Sequence, residues 1–254
     1  MKKTKINFYR YPHPNNVGDT LTPEILNFFA PDFEFKQVNR EDSNKLIAVG
    51  SIMHVIKPGD TIWGSGIIRE NERFPQARNC KFLAVRGKLT RNIIIRDGGK
   101  VPEIYGDPAI LLPRMFIPEV AKTHKVGIIP HFIDVHLVDK NMAKKLANGE
   151  TYKMIDVFLP YKEFITEVLS CERVISSSLH GIIIAESYGV EAEWIELSNK
   201  VIGDGFKFRD YLTGTNRKEQ GPGKFPKLSK KHLTKMQDDL LKSLKGIHEI
   251  QTKI

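Results

Sequence analysis

Long apolar runs, repeats and paired cysteines are all missing from this chain of 254 residues. The longest apolar runs, residues 181–185 and 92–95, are far shorter than the roughly 20 residues of a membrane-spanning helix. The first residues are basic but lead into no apolar signal core. These absences predict a soluble chain made in the cytoplasm.

Cysteine is scarce, since the chain has only Cys80 and Cys171, far apart and without the spacing of metal ligands. This excludes a disulfide framework and a thiolate zinc site, and it is typical of a reducing compartment. Basic residues are in excess: the formal net charge is +9, and residues 217–253 carry ten Lys or Arg against four Asp or Glu. No RNA-binding signature accompanies this basic tail, so we expect no nucleic-acid ligand.

Short apolar strands alternate with helical stretches, which predicts an α/β fold with mainly parallel sheets. The predicted strands are residues 5–9, 46–49, 61–63, 81–85 and 103–105, and then 125–129, 152–157, 173–176 and 192–197. A helix is predicted over residues 22–29, with Pro23 at its first position. The pattern restarts after the proline-rich residues 108–118, so we expect two Rossmann-like halves facing each other across a cleft. The predicted regions are 1–117, 118–215 and a basic loop and helix at 216–254.

The last region carries an amphipathic helix that Ser229 can cap. Its apolar stripe consists of Leu233, Met236, Leu240, Leu244 and Ile247, and its opposite face is rich in lysine. A single stripe favours packing on the body of the protein. The alternative is a helix that lies on an anionic membrane surface.

A serine-rich turn is the strongest candidate for a ligand site. Ser176, Ser177 and Ser178 follow a predicted strand, and His180 and Gly181 open the next helix. The first N–H groups of a helix bind anions, hydroxyls add hydrogen bonds, and glycine permits close approach. His180 beside a bound phosphate or carboxylate could act as a general acid. Equally, the serines could only cap the helix while His180 fills a boundary position.

Other candidates follow strands of the first half. Asn16 and Asp19 follow the first strand, where Asp19 could hold a sugar hydroxyl or act as a base, although local sequence favours a turn or cap role. Arg86 lies at a strand's carboxyl end, where α/β proteins bind ligands, unless it is an ordinary surface arginine. Gly64 and Gly66 form no dinucleotide fingerprint, because Arg69 occupies the third glycine position.

Three residues of the second half could be mistaken for a metal cluster: His131, Asp134 and His136. Their spacing matches no recognised ligand pattern and no cysteine assists. We therefore predict no metal site and interpret them as turn residues, with His131 at the cleft.

Taken in order, these motifs resemble the polysaccharide pyruvyl transferases over about residues 6–212. The matching pieces are Asn16-Val17-Gly18-Asp19, Trp63-Gly64-Ser65-Gly66, Val85-Arg86, Gly106-Asp107-Pro108-Ala109, Ile129-Pro130-His131, residues 176–181 with Ala185 and Gly189, and Lys200-Val201. The resemblance implies the two-domain arrangement of the GT-B glycosyltransferases, with no metal and no resident cofactor. It implies transfer of the enolpyruvyl unit of phosphoenolpyruvate onto two hydroxyls of one sugar, which gives a cyclic pyruvate ketal and phosphate.

The resemblance also implies roles for residues. His180 matches the candidate acid, while Arg86 and Lys200 match basic residues that hold the donor beside the serine turn. Asn16, Asp19 and His131 would face the acceptor, with Asp19 or Asp107 as candidate bases. Many members carry arginine two residues before the motif histidine, where this chain has Ser178. That charge partner is missing or comes from elsewhere, with Arg209 and Arg69 as candidates.

The acceptor that this resemblance implies is a saccharide, lipid-linked within a capsule or surface polysaccharide. The basic helix would suit an acceptor held at the anionic inner face of a membrane. Two alternatives stay open. One is a glycosyltransferase of the same architecture with a nucleotide-sugar donor, which Ser178 favours. The other is a non-enzymatic module that binds anionic polymers.

Overall fold

The first half of the chain forms a five-stranded parallel sheet in this computed structural model, which describes residues 3–12 and 16–250. The outermost ends of the predicted regions 1–117 and 216–254 therefore lie outside the described residues. The strands are β1 (Thr4–Tyr9), β2 (Phe33–Gln37), β3 (Leu46–Ile47), β4 (Thr61–Trp63) and β5 (Lys81–Ala84), in the spatial order β2-β1-β3-β4-β5. Helices α1 (Val17–Phe29) and α2 (Lys88–Arg96) follow β1 and β5.

The second half repeats this topology. Its strands are β6 (His124–Ile129), β7 (Tyr152–Met154), β8 (Cys171–Ser176), β9 (Glu191–Trp194) and β10 (Gly223–Lys224), and its helices are α3 (Lys140–Leu146), α4 (Tyr161–Leu169), α5 (Leu179–Ser187) and α6 (Phe206–Gly214). The order is β10-β9-β8-β6-β7, which is the order of the first sheet read from its other edge. Only the β9–β10 pair is antiparallel. The prediction of an α/β fold with two mainly parallel, Rossmann-like sheets is confirmed.

Several local predictions were wrong. Helix α1 begins at Val17, five residues before the predicted start, because the Asn16 side chain caps it by accepting a hydrogen bond from Gly18 N–H. Pro23 therefore lies inside the helix rather than at its start. The predicted strand at 103–105 is reduced to one bridge between Val85 and Tyr105.

Three elements were missed. Strand β10 is a two-residue strand within the stretch predicted as a loop. Strand β2 is a short edge strand in which Phe33 and Phe35 alternate with polar residues, but only Phe33 is buried. Helix α6 is buried on nearly all sides, so it lacks the single apolar stripe of a surface helix. It carries Lys207 and Asp210, two residues that bear on the site described below.

The basic tail is integrated into the body of the protein. Strand β10 extends the second sheet, and α7 (Lys230–Leu244) packs its apolar stripe on the first half. The indole Nε1 of Trp63 donates a hydrogen bond to Leu240 O at 3.1 Å, and Gln237 Nε2 donates to Ile110 O at 2.7 Å. Among residues 3–12 and 16–250, no helix combines the length and apolar character that a bilayer span requires.

Candidate functional site

A cavity of about 430 Å³ opens between the two sheets. The segments after β4 and β9 complete its walls, most of which come from the segments that follow β1 and β3 in the first half and β6 and β8 in the second. These strand pairs are the points at which each sheet reverses its strand order, and such switch points are where α/β folds bind ligands. The lining residues are Tyr11, Asn16, Asp19, Gly50, Ser51, Ile52, His54, Ile68, Arg69, Glu72, His131, Phe132, Ile133, Ser178, Leu179, His180, Ile202 and Lys207.

His180 lies in the first turn of α5 and is only 9% exposed. Its Nε2 is buried 3.4 Å from Asp107 Oδ2, but the contact lacks hydrogen-bond geometry, and Nε2 has no hydrogen-bond partner among the described residues. His180 lines the cavity. Its other ring nitrogen, Nδ1, packs against Gly18 of α1 so closely that a Cβ there would come within 1.9 Å of it.

Asp107 is fixed in place beside His180. It is fully buried, its Oδ1 accepts a hydrogen bond from Ala109 N–H at 3.0 Å, and its Oδ2 accepts one from Gly50 N–H at 3.2 Å. The carboxylate comes from the segment that links the two halves, and it attracts the imidazole ring electrostatically when that ring carries a proton. Asp107 is thus placed to orient His180 rather than to contact a ligand in the cavity.

Most hydrogen-bonding groups of the serine turn are already paired with other groups of the protein. Ser176 Oγ lies 2.8 Å from Ile129 O and accepts from Ser178 N–H at 2.9 Å. Ser177 Oγ accepts from His131 N–H at 2.8 Å and donates to Asp134. Of the three serines, only Ser178 lines the cavity, and it provides no side-chain cap to α5. The first amides of α5 therefore lie at the cavity without a capping side chain.

Gly181 serves packing in this arrangement. A Cβ on it would lie 2.5 Å from Ser176 Oγ and 3.0 Å from a side-chain carbon of Ile129. Its missing side chain lets α5 fit against the serine turn and β6. The suggestion that Gly181 permits close approach of a ligand stays a prediction.

The predicted basic donor residues lie outside the cavity lining. Arg86 is fully buried: its Nε donates to Asp210 Oδ2 at 2.9 Å, and its terminal nitrogens bind Ile67 O and Ser51 Oγ. Lys200 is exposed on the loop after β9, where its backbone N–H donates to Ser198 Oγ. Of the two arginines considered as substitutes, Arg69 lines the cavity and Arg209 does not.

The predicted acceptor residues Asn16, Asp19 and His131 do line the cavity together with His180. Burial lowers the pKa of His131 to about 3, and the charges of Lys207 and His180 act in the same direction. His131 is therefore neutral at pH 7. Its Nδ1 accepts a hydrogen bond from Ile133 N–H, which leaves the proton on Nε2 as a donor.

Sequence reasoning missed Lys207, whose side chain is 8% exposed and lines the cavity. Its pKa is lowered to about 8 by burial and by the positive charge of Arg86, against the opposing effect of Asp134 and Asp19. No motif marks this lysine, and it lies on the helix that the sequence did not predict. Within the part of the chain that the structure describes, no three or more His, Cys, Asp or Glu side chains are grouped to hold a metal ion.

Two doubly wound sheets with a cavity between their switch points define a two-halved α/β protein with a ligand site in the cleft. The family model of the polysaccharide pyruvyl transferases matches residues 24–199, more than half of the chain. The chain belongs to this family. Asn16, Asp19 and Lys207 lie outside the matched range.

A viral protein is also similar. The "uncharacterized protein L143" of Acanthamoeba polyphaga mimivirus is 30% identical over 204 residues, which cover 76% of this chain and 63% of that relative. The chain thus spans less than two thirds of the relative's length.

Proposed function

We propose that this protein is a ketal-forming pyruvyl transferase that uses phosphoenolpyruvate as donor and a saccharide as acceptor. The two sheets would act as the two halves of a GT-B-like enzyme, with the reaction in the cavity between them. The observation that carries the proposal is the position of His180. This residue lines the cavity at the uncapped N-terminus of α5, with its buried Nε2 facing Asp107.

The donor is a dianionic or trianionic molecule, and the second half offers a suitable environment for it. Amides at the start of a nine-residue helix and the positive end of its dipole attract anions. The same groups would stabilise phosphate as it leaves. His180 stands in the first turn of this helix, so a donor bound there lies within reach of an acid.

The chemistry then needs one acid and one acceptor with two hydroxyls. Protonated His180 delivers its proton to the methylene carbon of phosphoenolpyruvate, and the first sugar hydroxyl attacks the adjacent cationic carbon. The carbon–oxygen bond to phosphate breaks, and the second hydroxyl closes the ring on the same carbon. The two hydroxyl protons restore His180 and leave with phosphate, so the reaction balances. A positioned acid of this kind contributes on the order of 10²–10⁴-fold in rate.

The acceptor would bind against the first half. Asn16 and Asp19 at the start of α1 line the cavity with His131, whose Nε2–H is a donor at neutral pH. Holding both hydroxyls near the donor carbon removes much of the entropic cost of the second closure. We further propose that the acceptor is a lipid-linked polysaccharide unit, with Asp19 as candidate base.

Calorimetric titration with phosphoenolpyruvate, followed by phosphate-release and product analysis with galactose-like and mannosamine-like diols, tests this function. We expect wild-type protein to bind phosphoenolpyruvate and His180→Asn to bind it with similar affinity. His180→Asn should lose about 10²–10⁴-fold in turnover because the acid is gone.

The matched control is His136→Asn, because His136 is exposed and lies outside the cavity lining. It should retain full turnover. Binding of UDP without phosphoenolpyruvate would contradict the proposal and favour a nucleotide-sugar donor.

A further inference from the structure

Lys207 is the buried cation of the cavity. It lies in the first turn of α6, a helix of the second half that packs against α2 of the first half. The carboxylates that attract its charge are those of Asp134 and Asp19, while the charge of Arg86 repels it. The ammonium group lies 5.5 Å from the centroid of the Phe208 ring, a contact worth only about 1 kcal/mol at most sites.

Two acidic side chains of this region are held by other groups. Asp134 holds Ser177 and Ser198 through its carboxylate oxygens. Asp210, one turn further along α6, is bound by Arg86 Nε and by Thr90.

The Lys207 side chain is largely buried but lines the cavity, and burial makes its charge costly unless an anion pairs with it. The uncapped start of α5, in the same cavity, attracts the same kind of ligand. We propose that Lys207 is the principal anion-binding side chain of this cavity and that its ammonium group pairs with an anionic group of the donor.

The identity of the donor in this inference rests on the proposed function. The inference also explains how the cavity can lack the arginine that many family members carry at the position of Ser178. The resemblance placed arginine at that position in many members, and this chain has a small neutral side chain there. Ser178 and Lys207 line the same cavity. A lysine on α6 therefore supplies, from another element, a positive charge that residue 178 lacks.

Calorimetric titration of Lys207→Met with phosphoenolpyruvate, inorganic phosphate and UDP tests the inference. Methionine keeps the length of the side chain and removes its charge. We expect the affinity for phosphoenolpyruvate to fall about 10- to 100-fold, the range for a lost charge-assisted hydrogen bond. The matched control is Lys140→Met, an exposed lysine outside the cavity, which should bind like wild type.

Stability gives a second readout, which measures the cost of holding this charge in the cavity. The pKa of Lys207 is about 8 in the folded protein against an ordinary 10.5, so its charge costs stability below pH 8. That cost fades as the pH rises from 8 to 10.5, where the lysine becomes neutral in both states. Lys207→Met should therefore melt at a higher temperature than wild type at pH 7, and the difference should shrink toward pH 10.5.

The outcomes separate this inference from the proposed function. If wild type binds phosphoenolpyruvate and Lys207→Met binds it equally well, or if Lys200→Met alone weakens binding, the inference is overturned and the function stands. If wild type binds UDP only and Lys207→Met abolishes that binding, the function fails and the role of Lys207 stands. If wild type binds none of these anions, both are overturned. Should methionine prevent folding, Lys207→Arg, which keeps the charge, should retain binding.

Discussion

Gly18 and His180 belong to different halves of the chain, and their contact fixes the position of the His180 ring. The ring is held with Nε2 toward Asp107 and Nδ1 against the backbone of α1. Alanine at position 18 would suit the helix by intrinsic propensity. Its Cβ, however, would stand 1.9 Å from Nδ1 and displace the ring. At this scale the position of His180 depends on one absent methyl group.

We therefore expect Gly18→Ala to lower turnover by about 10²-fold or more, because a displaced acid loses its positioning. Steady-state kinetics and thermal melting measure the two effects. A control is Gly221→Ala, where nothing lies within 4 Å of the added Cβ and the backbone is not left-handed. The double variant Gly18→Ala/His180→Ala should melt above Gly18→Ala, since the clash is gone. Full activity in Gly18→Ala would contradict the placement of Nδ1.

At the scale of elements, the buried pair Arg86–Asp210 joins the end of β5 to α6. Asp210 is fully buried and also accepts from Thr90 N–H at 2.8 Å and from Thr90 Oγ1 at 2.7 Å. The pair locates α6 on the first half, and α6 carries Lys207. Arg86 thus acts on the cavity through a helix, although the sequence predicted that it would hold the donor directly.

Arg86→Met should destabilise the protein by about 3–5 kcal/mol, because it leaves a buried carboxylate without its counter-charge. Arg86→Met/Asp210→Asn removes both charges and should recover much of the stability, as measured by urea unfolding. Its affinity for phosphoenolpyruvate should recover in parallel. Recovery of stability without affinity would instead support the direct donor contact predicted from the sequence.

At the scale of the whole molecule, one apolar core runs through both halves. The same cluster contains Ile6 and Trp63 of the first sheet, Val174 and Trp194 of the second, and Leu240 of α7. The sequence predicted regions divided near residues 117 and 215. A core shared across those boundaries favours unfolding as one cooperative unit.

The two tryptophans test this, because Trp63 is fully buried in the first half and Trp194 is 2% exposed in the second. Trp63→Phe and Trp194→Phe each leave one fluorescent reporter. We expect each variant's urea fluorescence transition to coincide with its own circular-dichroism transition, with no intermediate. Two separate transitions would contradict a shared cooperative core and show that the halves are stable alone.

Much of the fold and part of the site could be read from local sequence. Alternating apolar segments predict the two sheets because strand and helix periodicity are local properties. The serine turn and His180 were found because they stand directly between a strand and a helix. Asn16, Asp19 and His131 were found for the same reason, and all three reach the cavity with His180.

The sequence by itself determined the class of fold and the family, since both depend on residues that are neighbours along the chain. Only the tertiary structure decided which charges face the cavity. Arg86 follows the end of a strand, a position at which ligand residues are common. In the structure it forms a buried ion pair with Asp210, 124 positions away. Lys207 has no motif around it, and it becomes the cavity's buried cation because α6 packs between the halves. Charge pairing and burial depend on packing between residues that are far apart in the sequence, so local sequence patterns do not predict them.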